Sequence, residues 1–563
     1  MKADLTRDTF QPQKHYLRVL LQQGRVELDA NWNEQVAILL KTIQTLAADL
    51  IGPAAGPKGQ GGFAITPLAS NLKALDFQIG FGRYYVDGIL CEAGFEPVPI
   101  FPTATQDVFA VRNWRSDFEQ TTVPDYELFD DSPNTTNTPM TVRISKPDPT
   151  NNLVTIQTLA NASIPASPNP RLRRLLTYLR QPDYPASTAT GAISPPTLVQ
   201  GATQIYLDVW ERVITYVEDD YIREVALGGP DTTARTKLVW QVKFTAAAPA
   251  GPNGIIPALS PQQLAALFQP ANRGWLQAMA RQSSPSADPC IINPSSRFTG
   301  PDNQLYRVEI NRGGTAWNGS DPSDQAAATF KWSRENGSVV YPIASGGGTN
   351  SVVVESLGRD DRYGLVEGNL IEVQDDRSVL ANRTGTLLQV QSINSTAMTV
   401  LLGGTPDANI GSDLSLHPLL RRWDQKAGDP AEGGLTLATD NAAFVQEGVW
   451  LTLEDGVQIR FEAAALGPTA VTAAGDSPVT NQYRTGDYWL IPTRTATGDV
   501  EWPRVIGTDG NPETDAQGNF IPVALPPHGV THHYAPLAIA NVDVNSGVTI
   551  DADDRTMFAP NLS

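Results

Sequence analysis

Cysteine is almost missing from this chain: only Cys91 and Cys290 occur in 563 residues. At most one bridge could form, and two isolated thiols define neither a disulfide scaffold nor a zinc site. Histidine is as sparse, with 5 residues, so metal binding would have to draw on very few positions. Charged residues make up 18%, and basic ones are outnumbered 41 to 60, for a formal net charge of −19. Such a surface repels a phosphate backbone, and no Lys/Arg-rich stretch offsets it, so nucleic acid is not an expected partner. No run reaches the ~18 apolar residues of a membrane span, which argues against direct membrane insertion. Residues 1–10 are polar and charged, without the apolar stretch of a signal peptide, so synthesis in the cytoplasm is expected.

What the chain does have is apolar material, at 41%, together with 46 Gly and 44 Pro clustered between β-branched runs. That composition belongs to turn-rich β structure and not to disorder. The length exceeds the ~250–300 residues of a single core, so three or four packed units are expected. The fold class expected is mainly β and multi-domain, built of small barrels and sandwich-like modules, with an N-terminal helix and a few short helices.

The clearest element is a helix over residues 31–50, where Trp32, Val36, Leu39, Ile43, Leu46 and Leu50 recur at spacings of three and four. Gly52-Pro53 ends it. Residues 16–29 read as two extended runs around Gln23-Gly24. Asp87-Gly88 and Asp455-Gly456 each sit between alternating strands and predict hairpins. Residues 119–170 are rich in Thr, Asn, Pro and Asp, with strand candidates at 140–144 and 153–159. Asn169-Pro170 predicts a short helix carrying Leu172, Leu175, Leu176 and Leu179. Ser260-Pro261-Gln262-Gln263 fits a capping box and predicts a second helical patch reaching about residue 281. Strands are expected at 204–210, 238–244, 305–310, 329–332, 351–355, 370–374, 387–390 and 398–402, those from about 350 to 405 with the rhythm of a small SH3-like or OB-like barrel.

These elements divide into an N-terminal hairpin, helix, hairpin module over 1–116 and an inserted loop or small β element over 117–168. A β module with short helices follows at 169–300, then one containing the small barrel at 301–425 and a C-terminal β module at 426–563.

Candidate chemistry is thin. His528, His532 and His533 could ligate zinc or iron if a carboxylate joined them, but their spacing is not His-Glu-x-x-His, and Pro526-Pro527 and Gly529 favour a loop. Asp208, Glu211, Glu218, Asp219 and Asp220 could supply a glycosidase pair, although Asp208 and Glu211 fall on opposite faces of a strand. Pairing with Arg212, Arg223, Arg235, Arg307 and Arg334 explains such acids more simply. The segments from Asp543 to Gly547 and from Asp551 to Asp554 faintly suggest a calcium loop but lack the closing Glu, and turn chemistry accounts for them. The eleven Trp residues are expected first in the core, then at interfaces, and only then at a sugar. No catalytic residue, cofactor or metal site is therefore assigned.

The run from Lys14 to Gln35, KHYLRVLLQQGRVELDANWNEQ, resembles the opening of a bacterial family of unassigned activity whose genes accompany those of phage-tail-like extracellular contractile injection systems. The resemblance continues through Gly82 to Gly88 (GRYYVDG), Tyr206 to Arg212 (YLDVWER), Arg223 to Asp231 (REVALGGPD), Leu305 to Ile310 (LYRVEI), Phe330 to Val339 (FKWSRENGSV) and Gly486 to Trp489 (GDYW). More loosely, Asn33-Glu34-Gln35 followed by Tyr84 to Gly88 is similar in order to the attachment module of tail-fibre and baseplate-wedge proteins. The resemblance implies a structural, non-enzymatic subunit of such a particle: baseplate-associated, cage-like or fibre-attaching. Its implied partners are other particle subunits and copies of itself, and the assembled particle would be its route out of the cell. A receptor- or glycan-binding fibre component is the alternative, and a surface hydrolase a third class.

One stretch points to where docking would occur. Tyr16, Val19, Leu21, Val26 and Leu28 precede the helix, and leaving them in water is costly at ~25 cal/mol per Å². The helix face of Trp32, Val36, Leu39 and Ile43 is expected to cover one side of this segment and a partner subunit the other. The candidate interface is thus Tyr16, Val19, Leu21, Val26, Leu28 and Trp32.

Overall fold

A computed structural model describes residues 1–68, 75–94, 97–115, 118, 125–130, 132, 140–158, 164, 167–184, 196–251, 253–269, 273–281, 297–358, 364–407, 410–463, 480–516 and 518–559. It is mainly β, with 41% of residues in strands against 11% in helices, and it contains several small barrels and sheets. No described helix is long and apolar enough to cross a membrane.

Helix α1, Asp29–Ile51, matches the spacing of its apolar residues and ends on Gly52, whose φ of 96° breaks the spiral. Beyond it, Ala54–Pro57 pairs with Gly82–Val86, which turns through Asp87-Gly88 into Ile89–Ala93. Both turn residues have positive φ, 48° and 78°, as the tight hairpin requires. Met557–Phe558 adds in parallel to the other edge, so the two ends of the chain share one sheet.

Val98–Pro102, Val108–Val111, Asp125–Asp130, Met140–Asp148, Leu153–Thr158 and Pro170–Arg174 close into a first barrel around Ile100, Val111, Val142, Val154 and Leu172. The strand candidates at 140–144 and 153–159 are thus barrel staves, apart from Leu159, which lies outside the described residues. The helix expected from Asn169-Pro170 is a strand instead. Pro170–Arg174 bonds to Asp125–Asp130 on one side and to Val98–Pro99 on the other, and two ladders outweigh what one short helix could satisfy. The expected boundaries at 116/117 and 168/169 fall inside this barrel, because closing it needs both its first and its last strands.

The long strands Gly201–Ile214 and Arg235–Ala246 pair along their length, and His533–Asp543 with Gly547–Asp553 completes that sheet. Its inner face packs on the N-terminal sheet through Phe63, Tyr84, Leu207, Trp240 and Leu537. Helix α2, Pro261–Phe268, starts on the expected Ser260–Gln263 capping box and seats Leu264 against Tyr206 and Tyr534. It does not run on to 281, since Trp275–Ala280 is a strand paired with Val457–Glu462.

That pair and Trp450–Thr452 form one layer of a sandwich; Leu305–Arg312, Thr329–Ser333, Ala443–Phe444, Tyr488–Arg494 and Asp499–Val500 form the other. Tyr306, Phe330, Trp332, Phe461 and Trp489 fill the space between. The small barrel is present and closed, made of Val340–Ser345, Ser351–Val354, Leu370–Gln374, Thr386–Asn394, Thr399–Leu402 and Leu419–Trp423. Helix α3, Asp376–Leu380, caps one end of it.

Candidate docking surface

Residues 1–10 form a strap laid into the body where the sandwich meets the small barrel. Lys2 Nζ reaches Glu309 at 2.8 Å, and Asn336 Nδ2 donates to the carbonyls of Met1 and Ala3 at 3.0 and 2.8 Å. Glu309 stands opposite Lys331 on the neighbouring strand, and Lys331 in turn meets Glu372 of the barrel at 2.8 Å. Trp423 Nε1 donates to the same Glu372 at 2.8 Å, while both lysines lie over its ring. Burial works against the ionisation of Glu309, but Lys2, Arg307 and Lys331 outweigh it and hold its carboxyl well below the usual range. Burial pushes Lys2 down to about 8. The strap therefore adds a third cation around the buried Glu309, beside Arg307 and Lys331.

A cavity of about 440 Å³ adjoins this cluster. Several of its acids are engaged: Arg212 bridges Glu218 and Asp376, and Asp376 also holds His417 Nδ1 at 2.8 Å, while Glu211 lines the cavity as an exposed residue. The two carboxyls that burial raises to about 7, Glu335 and Glu454, do not line it and are gripped by Arg422 and Arg334.

The three clustered histidines face different partners. His532 Nδ1 meets Asp208 at 2.6 Å and stacks on Trp210, His533 meets Asp87 at 2.7 Å, and burial holds the His528 imidazole below its usual pKa. Asp208 also binds Lys243 at 2.6 Å. Among the described residues no group of three or more His, Cys, Asp or Glu could hold a metal ion. Arg212 and Arg223 do pair with Glu218 and Asp220, whereas Arg235 bonds Thr233. Asp543 caps the backbone of Asn545 and Ser546 in a turn. Cys91 is a buried free thiol, and Cys290 lies outside the described residues.

Against this inward pairing of polar groups, the outer face of the N-terminal module is apolar and bare. Strap residues Thr6 and Thr9 bond Asp29 and Glu34, fixing the first turn of α1, and Ala30 and Ile38 sink into the body. Residues 16–28 then form an arm with a turn at Gly24, where Arg25 N donates to Gln22 O, but no strand ladder. The expected hairpin does not form because a lone two-stranded ribbon is marginal in water. Nor does the helix cover the arm as expected. Tyr16, Leu21, Val26 and Leu28 are exposed, Val19 is half-buried, and Trp32 is 72% exposed while the other ten tryptophans are buried or half-buried. Val36, Leu39, Leu40, Ile43, Leu46 and Leu50 of α1 are exposed as well. The bond from Val19 N to Gln35 Oε1 at 2.8 Å holds the arm beside the helix. The helix face thus enlarges the apolar surface it was expected to hide.

No curated protein and no solved structure matches the chain. A model of a family of unknown function, DUF6519, matches residues 1–133, 177–267 and 262–550 and passes over 134–176, which carry three staves of the first barrel. With most of its length matched, the chain belongs to that family.

Proposed function

We propose that this protein is a structural subunit of a phage-tail-like contractile injection particle, baseplate-associated, cage-like or fibre-attaching, that acts by protein–protein assembly. The single observation that carries an assembly role is the bare apolar surface of arm and helix. The particle itself is suggested by the motif from Lys14 to Gln35, which builds this same surface. The reading involves no bond-making step. It places the partners among other particle subunits and further copies of the chain, and the assembled particle as its means of leaving the cytoplasm. A glycan-binding fibre component draws no support from the tryptophans, ten of which are taken up wholly or partly inside the fold.

Electron microscopy of particles purified from cells with and without the gene tests the reading. Loss of a discrete density at one end of the particle is expected. Particles identical in every density, with the protein absent from the wild-type preparation, would overturn it.

A further inference from the structure

We propose that α1 is one strand of a parallel, two-stranded coiled coil completed by α1 of a second copy of this chain, a proposal that rests on the assembly reading and names one partner. The helix has two distinct faces. Ala30 and Ile38 are buried, and Asn31, Glu34, Ala37 and Gln44 are half-buried, so this side meets the body. On the other side Leu40 is exposed, and so are Trp32, Val36, Leu39, Ile43, Leu46 and Leu50.

Their spacing alternates four, three, four, three, four, a seven-residue repeat sustained along the helix. A repeat of 3.5 stays in line on a 3.6-residue helix only when the helix winds around another helix. No other described helix can be the mate, since α2 and α3 have 8 and 5 residues.

Seam composition narrows the partner. In the middle of the seam Val36 and Ile43 take a positions and Leu39 and Leu46 d positions, the pattern that favours two parallel strands, while Trp32 (d) and Leu50 (a) lie at its ends. The flanking e and g positions hold Asn33, Gln35, Leu40, Thr42, Ala47 and Asp49. Pairs of unlike helices are commonly specified by opposite charges at those positions, and a single Asp49 provides no such code. Nor does it build appreciable repulsion against an identical helix. At roughly 150–250 Å² for a full large side chain, the bare seam exposes on the order of 700 Å². That is near the ~800 Å² per partner of a stable interface. A twofold axis along the seam is isologous, and the arm, tied through Val19 to Gln35 at a g position, flanks it.

Sedimentation equilibrium of the purified full chain at about 100 µM, a concentration that would populate even a weak interface, tests this. Two copies are expected, falling to one on Ile43→Asp with Leu46→Asp. The far-UV spectrum should not move, because both side chains are exposed, and at a dilution where the parent is monomeric the two melting midpoints should agree. Leu46→Cys should give a disulfide-linked dimer on mild oxidation, whereas Lys41→Cys, exposed but off the seam, should not. A monomeric parent, a higher oligomer, a dimer that survives the aspartates, or equal cross-linking at Lys41 overturns the pairing. A monomeric parent whose gene deletion still removes density from particles would reject the pairing and leave the assembly reading standing.

Discussion

At Gly88 two separate demands fall on one residue. Its φ of 78° closes the hairpin after Asp87, and its bare Cα faces the backbone of Gln44, so a Cβ there would overlap the Gln44 carbonyl oxygen. The turn is the seat on which the middle of α1 rests. Gly88→Ala should therefore cost about 1–3 kcal/mol, counting backbone strain together with the clash. The cost should appear as faster amide exchange along 29–51, while the central sheet stays protected. Uniform loss of protection would mean that the helix is not a separately seated element. A second effect at this scale is electrical. Burial raises Glu335 and Glu454 to about 7 from the ordinary 4.5, against the pull of their arginines. The folded chain then holds more protons than the unfolded one between those values. Their stabilising contribution is full below 4.5 and is lost as pH rises through 7. Relative to Glu335→Gln with Glu454→Gln, the parent's urea midpoint should fall from about pH 5 to about pH 8. Parallel midpoint curves would refute the shifts.

Among the elements, α1 and the Asp-Gly hairpins could be read in the sequence because local chemistry alone decides them: apolar residues three and four apart, or two residues that tolerate positive φ. Four of the small barrel's six staves were legible for the same reason, through alternation between turn signals, whereas Val340–Ser345 and Leu419–Trp423 lay outside the stretch that carried the rhythm. The segment from Pro170 was not, because its leucines belong to different surroundings: Leu172 faces the first barrel and Leu176 the core beside the central sheet. The surplus of Tyr16, Leu21, Val26, Leu28 and Trp32 was visible in composition, but its accomplice, the rest of the helix face, looked like core. Least legible was the strap. Lys2 carries no local signal, and its partners Glu309, Lys331 and Glu372 lie some 300 residues away; only charged residues in strands buried on both faces hinted at them. Strap and arm should consequently behave in opposite ways. Removing residues 1–10 takes from Glu309 one of its three cations, together with the strap's bonds to Asn336, and should destabilise the fold by about 1–3 kcal/mol. Replacing the arm's apolar residues with Ser should leave the urea midpoint within ~0.5 kcal/mol of the parent and lower only particle occupancy. Equal stability after both changes would show that the strap is not part of the core.

Across the whole molecule, the order of strands is nested. The central sheet takes Gly201–Ile214 and Arg235–Ala246 from one part of the chain and His533–Asp543 from near its end. The sandwich interrupts it, and is interrupted in turn by the small barrel. Its strands Trp275–Ala280 and Leu305–Arg312 pair with Val457–Glu462 and Tyr488–Arg494 across the barrel's sequence. The first barrel, by contrast, uses one continuous stretch and encloses its own core, and the family match passes over its second half. Independence should follow from that continuity and not from position along the chain. A fragment of residues 97–175 should unfold cooperatively in urea, since its ring of strands closes without outside help. A fragment of residues 426–563, the stretch expected from sequence to be a C-terminal module, should show no transition. Its main strands would lose their ladders to Trp275–Ala280, Leu305–Arg312 and Gly201–Ile214, exposing backbone groups and apolar faces together. A cooperative 426–563 fragment beside an unfolded 97–175 fragment would reverse the nesting.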